Sequence, residues 1–147
     1  MSGGAAPTAG SVIRYAYLWA DEHARGAEEG RKDRPALVLA LAVRNLDGAT
    51  EMLVLAVTHA PPLAPDDAIE FPAAEKHRLG LDALASWIVT TEGNAFVWPG
   101  PDIRPIPEPP SGRLVYGQIS EQLLQQVARS YLSNRRKGIG RVVGRTE

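Results

Sequence analysis

The stretch Pro35-Ala36-Leu37-Val38-Leu39-Ala40-Leu41-Ala42-Val43, then Asn45-Leu46-Asp47-Gly48, then Met52-Leu53-Val54-Leu55-Ala56-Val57 decides the fold. The first run is eight apolar residues behind a proline, which is tolerated at the first position of a strand. Eight residues are few for a helix, although Ala and Leu would permit one. Asp-Gly is a strong hairpin signal because both residues accept positive φ. Two apolar runs around it predict an antiparallel hairpin. Thr58-His59-Ala60-Pro61-Pro62 ends the second run, since consecutive prolines cannot continue a hydrogen-bonded ladder.

Working outward, Val12–Trp19 is rich in β-branched and aromatic residues and reads as a strand buried on much of both faces. Between it and the hairpin, ten of the fourteen residues Asp21–Arg34 are charged or His, which predicts a long loop. Downstream, Ile69–Phe71 reads as a short strand and Ala73–Arg78 as one or two helical turns. Trp87–Thr91 and Phe96–Trp98 flank Glu92-Gly93-Asn94, which predicts a second hairpin. Pro99–Gly112 holds six prolines and is expected to be irregular, with a last short strand near Val115. Ser120 is a good N-cap for a helix whose stripe is Leu123, Leu124, Val127, Ala128, Tyr131 and Leu132. Gly138 and Gly140 stop it. Short strands with one C-terminal helix predict a mainly β fold, a small β-barrel with an appended helix.

At 147 residues the chain is one domain's worth, with 44% hydrophobic and 22% charged residues. The expected organisation is a disordered leader over 1–10, a single domain over 11–134, and a basic tail over 135–147 that packs little. The absence of cysteine rules out disulfides, thiolate metal sites and a Cys nucleophile. No apolar run approaches the length of a membrane span, and the N-terminus lacks the pattern of a signal peptide, so a cytoplasmic protein without membrane attachment is expected. The formal net charge of −1 divides into −6 over residues 1–128 and +5 from Arg129 onward. A basic end on an acidic body suits a phosphate or an acidic partner, or is a solvated tail.

Phosphate-binding glycine loops, dinucleotide fingerprints, zinc-protease motifs and nucleophile elbows are all missing from the sequence. The three histidines, His23, His59 and His77, are too dispersed to suggest a metal site, and no cofactor is expected. The candidates instead lie at one end of the first hairpin. Counting outward from its turn puts Pro35 and Thr58 at the same open end, so Arg34, Thr58 and His59 converge at one rim. A guanidinium forks onto phosphate, a hydroxyl donates or accepts, and an imidazole exchanges a proton near neutral pH. Such a set suits cleavage of an RNA phosphodiester by its own ribose hydroxyl, without a metal. Ordinary readings stand beside this one. Arg34 can pair with Glu28, Glu29 or Asp33, Thr58 can be a plain strand end, and His59 a hydrogen-bonded loop residue. Trp19, Trp87 and Trp98 suit base stacking or a core. Asp66, Asp67 and Glu70 read as a solvated turn.

Gly10-Ser11-Val12-Ile13-Arg14-Tyr15, Arg25-Gly26-Ala27-Glu28-Glu29, Arg34-Pro35-Ala36-Leu37-Val38-Leu39, Leu55-Ala56-Val57-Thr58 and Tyr116-Gly117-Gln118-Ile119 with the helix after it resemble, in order, the motifs of MazF/PemK toxins. The resemblance spans roughly residues 10–134. It implies an SH3-like barrel of the MazF/PemK type that forms a homodimer. It also implies a growth inhibitor, the toxin of a toxin–antitoxin module, acting as a metal-independent endoribonuclease on single-stranded RNA and blocked by a cognate antitoxin protein. By motif position Arg34 and Thr58 are the catalytic pair. His59 joins them where the family commonly has a small polar residue, and Glu28, Arg31 and Lys32 are the substrate-binding side chains of the loop. The same superfamily includes CcdB-like gyrase binders, so a non-catalytic protein- or RNA-binding module is the alternative.

Overall fold

A computed structural model describes residues 6–20, 33–44 and 46–145. The expected hairpin forms. Strand β2 (Arg34–Val43) runs antiparallel to β3 (Thr50–Thr58) with Ala36 opposite Ala56 and Val43 opposite Thr50. The register shifts between Val38 and Ala40, so β2 carries a bulge midway along the ladder. Strand β1 (Ser11–Tyr15) pairs with β2, Val12 opposite Leu37 and Tyr15 opposite Arg34. Both faces of these three strands are covered where they lie side by side over residues 12–15, 36–38 and 54–57, while β2 emerges into solvent over residues 40–43. Val12, Leu37, Leu55 and Val57 face one core, while Ile13, Tyr15, Ala36, Val38, Val54 and Ala56 face another.

Five further strands complete the sheet. They are β4 (Ala68–Glu70), β5 (Trp87–Val89), β6 (Glu92–Val97), β7 (Val115–Gln118) and β8 (Arg141–Gly144). β7 lies outside β1, β5 pairs with the last residues of β3, and β4 lies outside β5. β6 runs beside the first half of β3, antiparallel, and β8 is parallel to β6. All eight strands belong to one connected sheet. Among the described residues no pairing joins β4 to β7, so the sheet is open and the expected barrel is not closed.

Helix α1 (Ala73–Arg78) is the short helix foreseen after the prolines, and α2 (Glu121–Arg136) is the C-terminal one. The Ser120 hydroxyl caps α2 by accepting from the Leu123 amide at 3.1 Å. Leu123, Val127 and Tyr131 bury their side chains on the first core. The Glu75 carboxylate ties the two helices by accepting from the Ser120 amide at 2.7 Å and from its hydroxyl at 2.6 Å. Among the described residues no helix is long and apolar enough to cross a membrane.

Three expectations are corrected. Glu92-Gly93-Asn94 is not a turn between hairpin strands: it lies inside β6, and β5 and β6 both pair with β3 instead of with each other. Its glycine serves close packing, since a Cβ on Gly93 would lie 2.8 Å from Leu53 Cδ1 and 3.1 Å from the Val54 carbonyl oxygen. Asn94 is fully buried and grips the backbone of Leu18, accepting from its amide at 2.9 Å and donating to its carbonyl at 2.8 Å. The Ala16 amide donates to the Asp102 carbonyl at 2.9 Å and Asn94 serves Leu18, so the predicted strand Val12–Trp19 stops at Tyr15 although Ala16, Tyr17 and Leu18 are buried. Within the leader, Pro7 and Gly10 are buried, and the Gly10 amide donates to the Val38 carbonyl at 2.8 Å.

The basic tail does not stand free either. β8 seats Val143 in the interior and delivers Arg145 to the Asp102 carboxylate at 2.7 Å. Arg145 also donates to the Ala16 carbonyl at 2.9 Å and to Asn94 Oδ1 at 3.0 Å, with its guanidinium over the Tyr15 ring. The side chains of Arg145 and Asp102 are only 2% and 6% exposed, so each charge depends on the other. Asp102→Ala removes a buried carboxylate from beside that guanidinium, and denaturant titration should record a loss of about 3–5 kcal/mol.

Candidate functional site

Strand β2 begins at Arg34 and β3 ends at Thr58. The ladder pairs Ala36 with Ala56, and two residues farther out lie Arg34 and Thr58. The bulge advances β2 by one position. It therefore brings Arg34 abreast of Thr58 at the open end of the hairpin. Both residues line a cleft of about 560 Å³, with His59 next to them and Trp19 and Arg14 on the same wall. That volume falls within the range of small-ligand sites and admits a nucleotide.

The two sides of the cleft are built differently. On one, the Arg34 guanidinium lies over the Trp19 ring, 5.1 Å from its centre, in a cation–π arrangement. Tyr17 supports Trp19 from beneath, ring edge to face at 5.0 Å. Asp33 is shared by Arg14 at 3.7 Å and Arg104 at 3.5 Å, which tempers the positive charge of this wall. The other side is formed by His59 and the loop after α1. His59 Nε2 lies 2.9 Å from Asp82 Oδ2, and the two side chains are 52% and 51% exposed. Thr58 Oγ1 accepts from the Ala60 amide at 3.1 Å, which leaves its own proton to donate into the cleft.

Beneath Asp82 sits Lys76, buried on the inner side of α1. Its ammonium donates to Asp82 Oδ1 at 2.8 Å, to Ser86 Oγ at 2.5 Å and to the Leu84 carbonyl. Three donors meet three acceptors, so the buried charge is fully satisfied. The Leu84 amide donates to the same Asp82 oxygen at 3.1 Å. The Lys76 hydrogen bond holds the Asp82 carboxyl below the usual carboxylate range, ahead of the opposing effect of desolvation. Asp82 is thus a fixed anion with one oxygen spent on the fold and the other on the imidazole. A carboxylate in that position orients a histidine ring.

The structure brings Arg34, Thr58 and His59 to one cleft, while Glu28, Arg31 and Lys32 lie outside the described residues. Of the tryptophans, Trp19 lines the cleft and Trp98 packs on the second core, while Trp87 stands opposite Thr58 in the ladder. Sequence reading did not find Asp82 or Lys76. The signal for Lys76 was its place three residues before buried Leu79, on the apolar side of α1. Asp82 carried none, because its partners come from a helix and from the end of a distant strand.

The pH dependence of stability follows from Asp82. Its folded pKa is depressed, so its contribution is present above the unfolded carboxylate value and is lost as pH falls through the folded one. Wild type and Asp82→Asn should differ in denaturation midpoint near neutral pH and converge in acid. A constant gap across that range would show that Asp82 carries no such linkage. Comparison of the chain with protein-family models, with curated proteins and with solved structures finds no match in any of the three.

Proposed function

We propose that the chain is an endoribonuclease that cuts single-stranded RNA with its own side chains, in the manner of the MazF/PemK toxins that its ordered motifs resemble. The observation that carries this reading is the meeting of Arg34, Thr58 and a carboxylate-held His59 in one nucleotide-sized cleft. His59 removes the proton from a ribose 2′-hydroxyl, whose oxygen attacks the adjacent phosphorus. Arg34 forks onto the phosphoryl oxygens as negative charge develops there, and Thr58 donates a hydrogen bond to one of them. The P–O5′ bond breaks, and the leaving oxygen takes a proton from solvent at the open mouth. The products are a 2′,3′-cyclic phosphate and a free 5′-hydroxyl, with His59 left as imidazolium.

The partners belong to the same reading: single-stranded RNA, a protein antitoxin that covers the cleft, and a second copy of the chain. Support for self-association comes from the far end of β2, where Leu41 and Val43 are exposed. Light scattering should give the mass of a homodimer, and a monomer at high concentration would count against it.

The rival is a non-catalytic binding module, of which the CcdB-like gyrase binders are one form. It is favoured by the carboxylates of Asp33, Asp82 and Glu108 at the cleft, which oppose a polyanion. Purified protein incubated with single-stranded RNA in EDTA separates the two. Cyclic-ended fragments are expected from wild type, and intact RNA would favour the binding module. Arg34→Ala should slow cutting at least about a hundredfold, as loss of a transition-state donor does. Circular dichroism should show that the variant keeps the wild-type fold. Undiminished cutting by that variant would remove Arg34 from the mechanism.

A further inference from the structure

We propose a second activity for the same cleft: the His59–Asp82 pair hydrolyses the 2′,3′-cyclic phosphate to a 3′-phosphate monoester. The inference rests on the endoribonuclease reading for its natural substrate and adds a separate reaction to it. Arg34 and Thr58 alone would cut and stop, since neither exchanges a proton readily near neutral pH. An imidazole changes the outcome, because the first step leaves it protonated beside the O2′ it has just deprotonated.

Three observations carry the second step. His59 and Asp82 are each about half exposed, so water reaches the phosphorus once the 5′-product leaves. The ring is held by Asp82 at 2.9 Å, and Asp82 by buried Lys76 at 2.8 Å, so this alignment belongs to the protein and survives departure of half the substrate. The Asp82 carboxyl, kept below its usual range by that lysine, remains an anion beside the imidazolium. In the step itself, a water oxygen bonds to phosphorus and the P–O2′ bond breaks. His59 returns to O2′ the proton it took, and the proton shed by water passes to solvent. One water is consumed, no oxidant or reductant is needed, and His59 is again neutral for the next strand. Arg34 faces the same phosphoryl oxygens throughout.

The test uses the full chain in EDTA on two substrates, single-stranded RNA and 2′,3′-cyclic cytidine monophosphate. Fragment ends are read by mass spectrometry and the nucleotide by phosphorus NMR. Wild type should convert both to 3′-monoesters. His59→Gln should lower opening of the cyclic nucleotide at least about a hundredfold, with circular dichroism confirming the fold. Asp82→Asn should lower it about tenfold and displace its pH–rate profile, which a merely structural role would not do. Fragments that stay cyclic on long incubation, or equal opening by either variant and wild type, would overturn the inference while leaving the cutting reaction in place. Opening of the cyclic nucleotide with RNA left intact would uphold the hydrolysis and overturn the endoribonuclease reading. If neither substrate changed, both would fall.

Discussion

Strand β3 is the member on which everything else hangs, because it hydrogen-bonds to β2 on one side and to both β6 and β5 on the other. Its middle residues Val54, Leu55 and Ala56 are fully buried, and alternate side chains feed opposite cores. A one-residue slip would exchange the two cores, so the register is strongly specified. That rigidity is passed to its last residue, Thr58, and to His59 just beyond. The bulge in β2 then sets which residue of the neighbouring strand stands beside Thr58, and it selects Arg34. The cleft is therefore a by-product of how three apolar strands share their interior. Its functional groups lie where the ladder ends and backbone constraint is still high.

Lys76 shows how the second wall is fixed without a strand. A buried ammonium is costly unless its donors are filled, and this one draws Asp82, the Leu84 carbonyl and the Ser86 hydroxyl around itself. The loop after α1 takes its shape from that centre. His59 then meets a carboxylate that is already aligned. The order of cause runs from a charge inside the fold to a ring at its surface, so the site has depth as well as a rim.

The parts legible in the sequence were those governed by local chemistry. The Asp47-Gly48 turn and its flanking apolar runs revealed the hairpin, and Ser120 with the stripe Leu123, Val127 and Tyr131 revealed α2. Other residues have two uses that local chemistry does not distinguish. Gly93 and Asn94 are good turn formers, yet here one admits the close approach of Leu53 and the other fills a buried backbone gap at Leu18. β8 was hidden because Val142 and Val143 form a short run between glycines, and its partner strand β6 is far away in sequence. At the site, Arg34, Thr58 and His59 were legible from strand ends. Asp82 and Lys76 were not, since a pairing across 23 residues, His59 to Asp82, leaves no periodic trace.

The charge distribution also looks different once folded. The positive segment after Arg129 suggested an arm for polyanions, but Arg145 is neutralised inside by Asp102 and Lys137 reaches Asp66 at 3.5 Å. Arg135 donates to the Gly140 carbonyl at 3.3 Å, within its own turn. These three cations are engaged within the fold, and less positive charge is left there for a partner than the sequence total implies. In the cleft, Arg14 and Arg34 stand against Asp33, Asp82 and Glu108. On the proposed reading, such a balanced site would hold a polyanion weakly and reward one phosphorus placed between the fork of Arg34 and the ring of His59. On the same reading, binding of that kind, with little long-range steering, would select a single linkage by local chemistry.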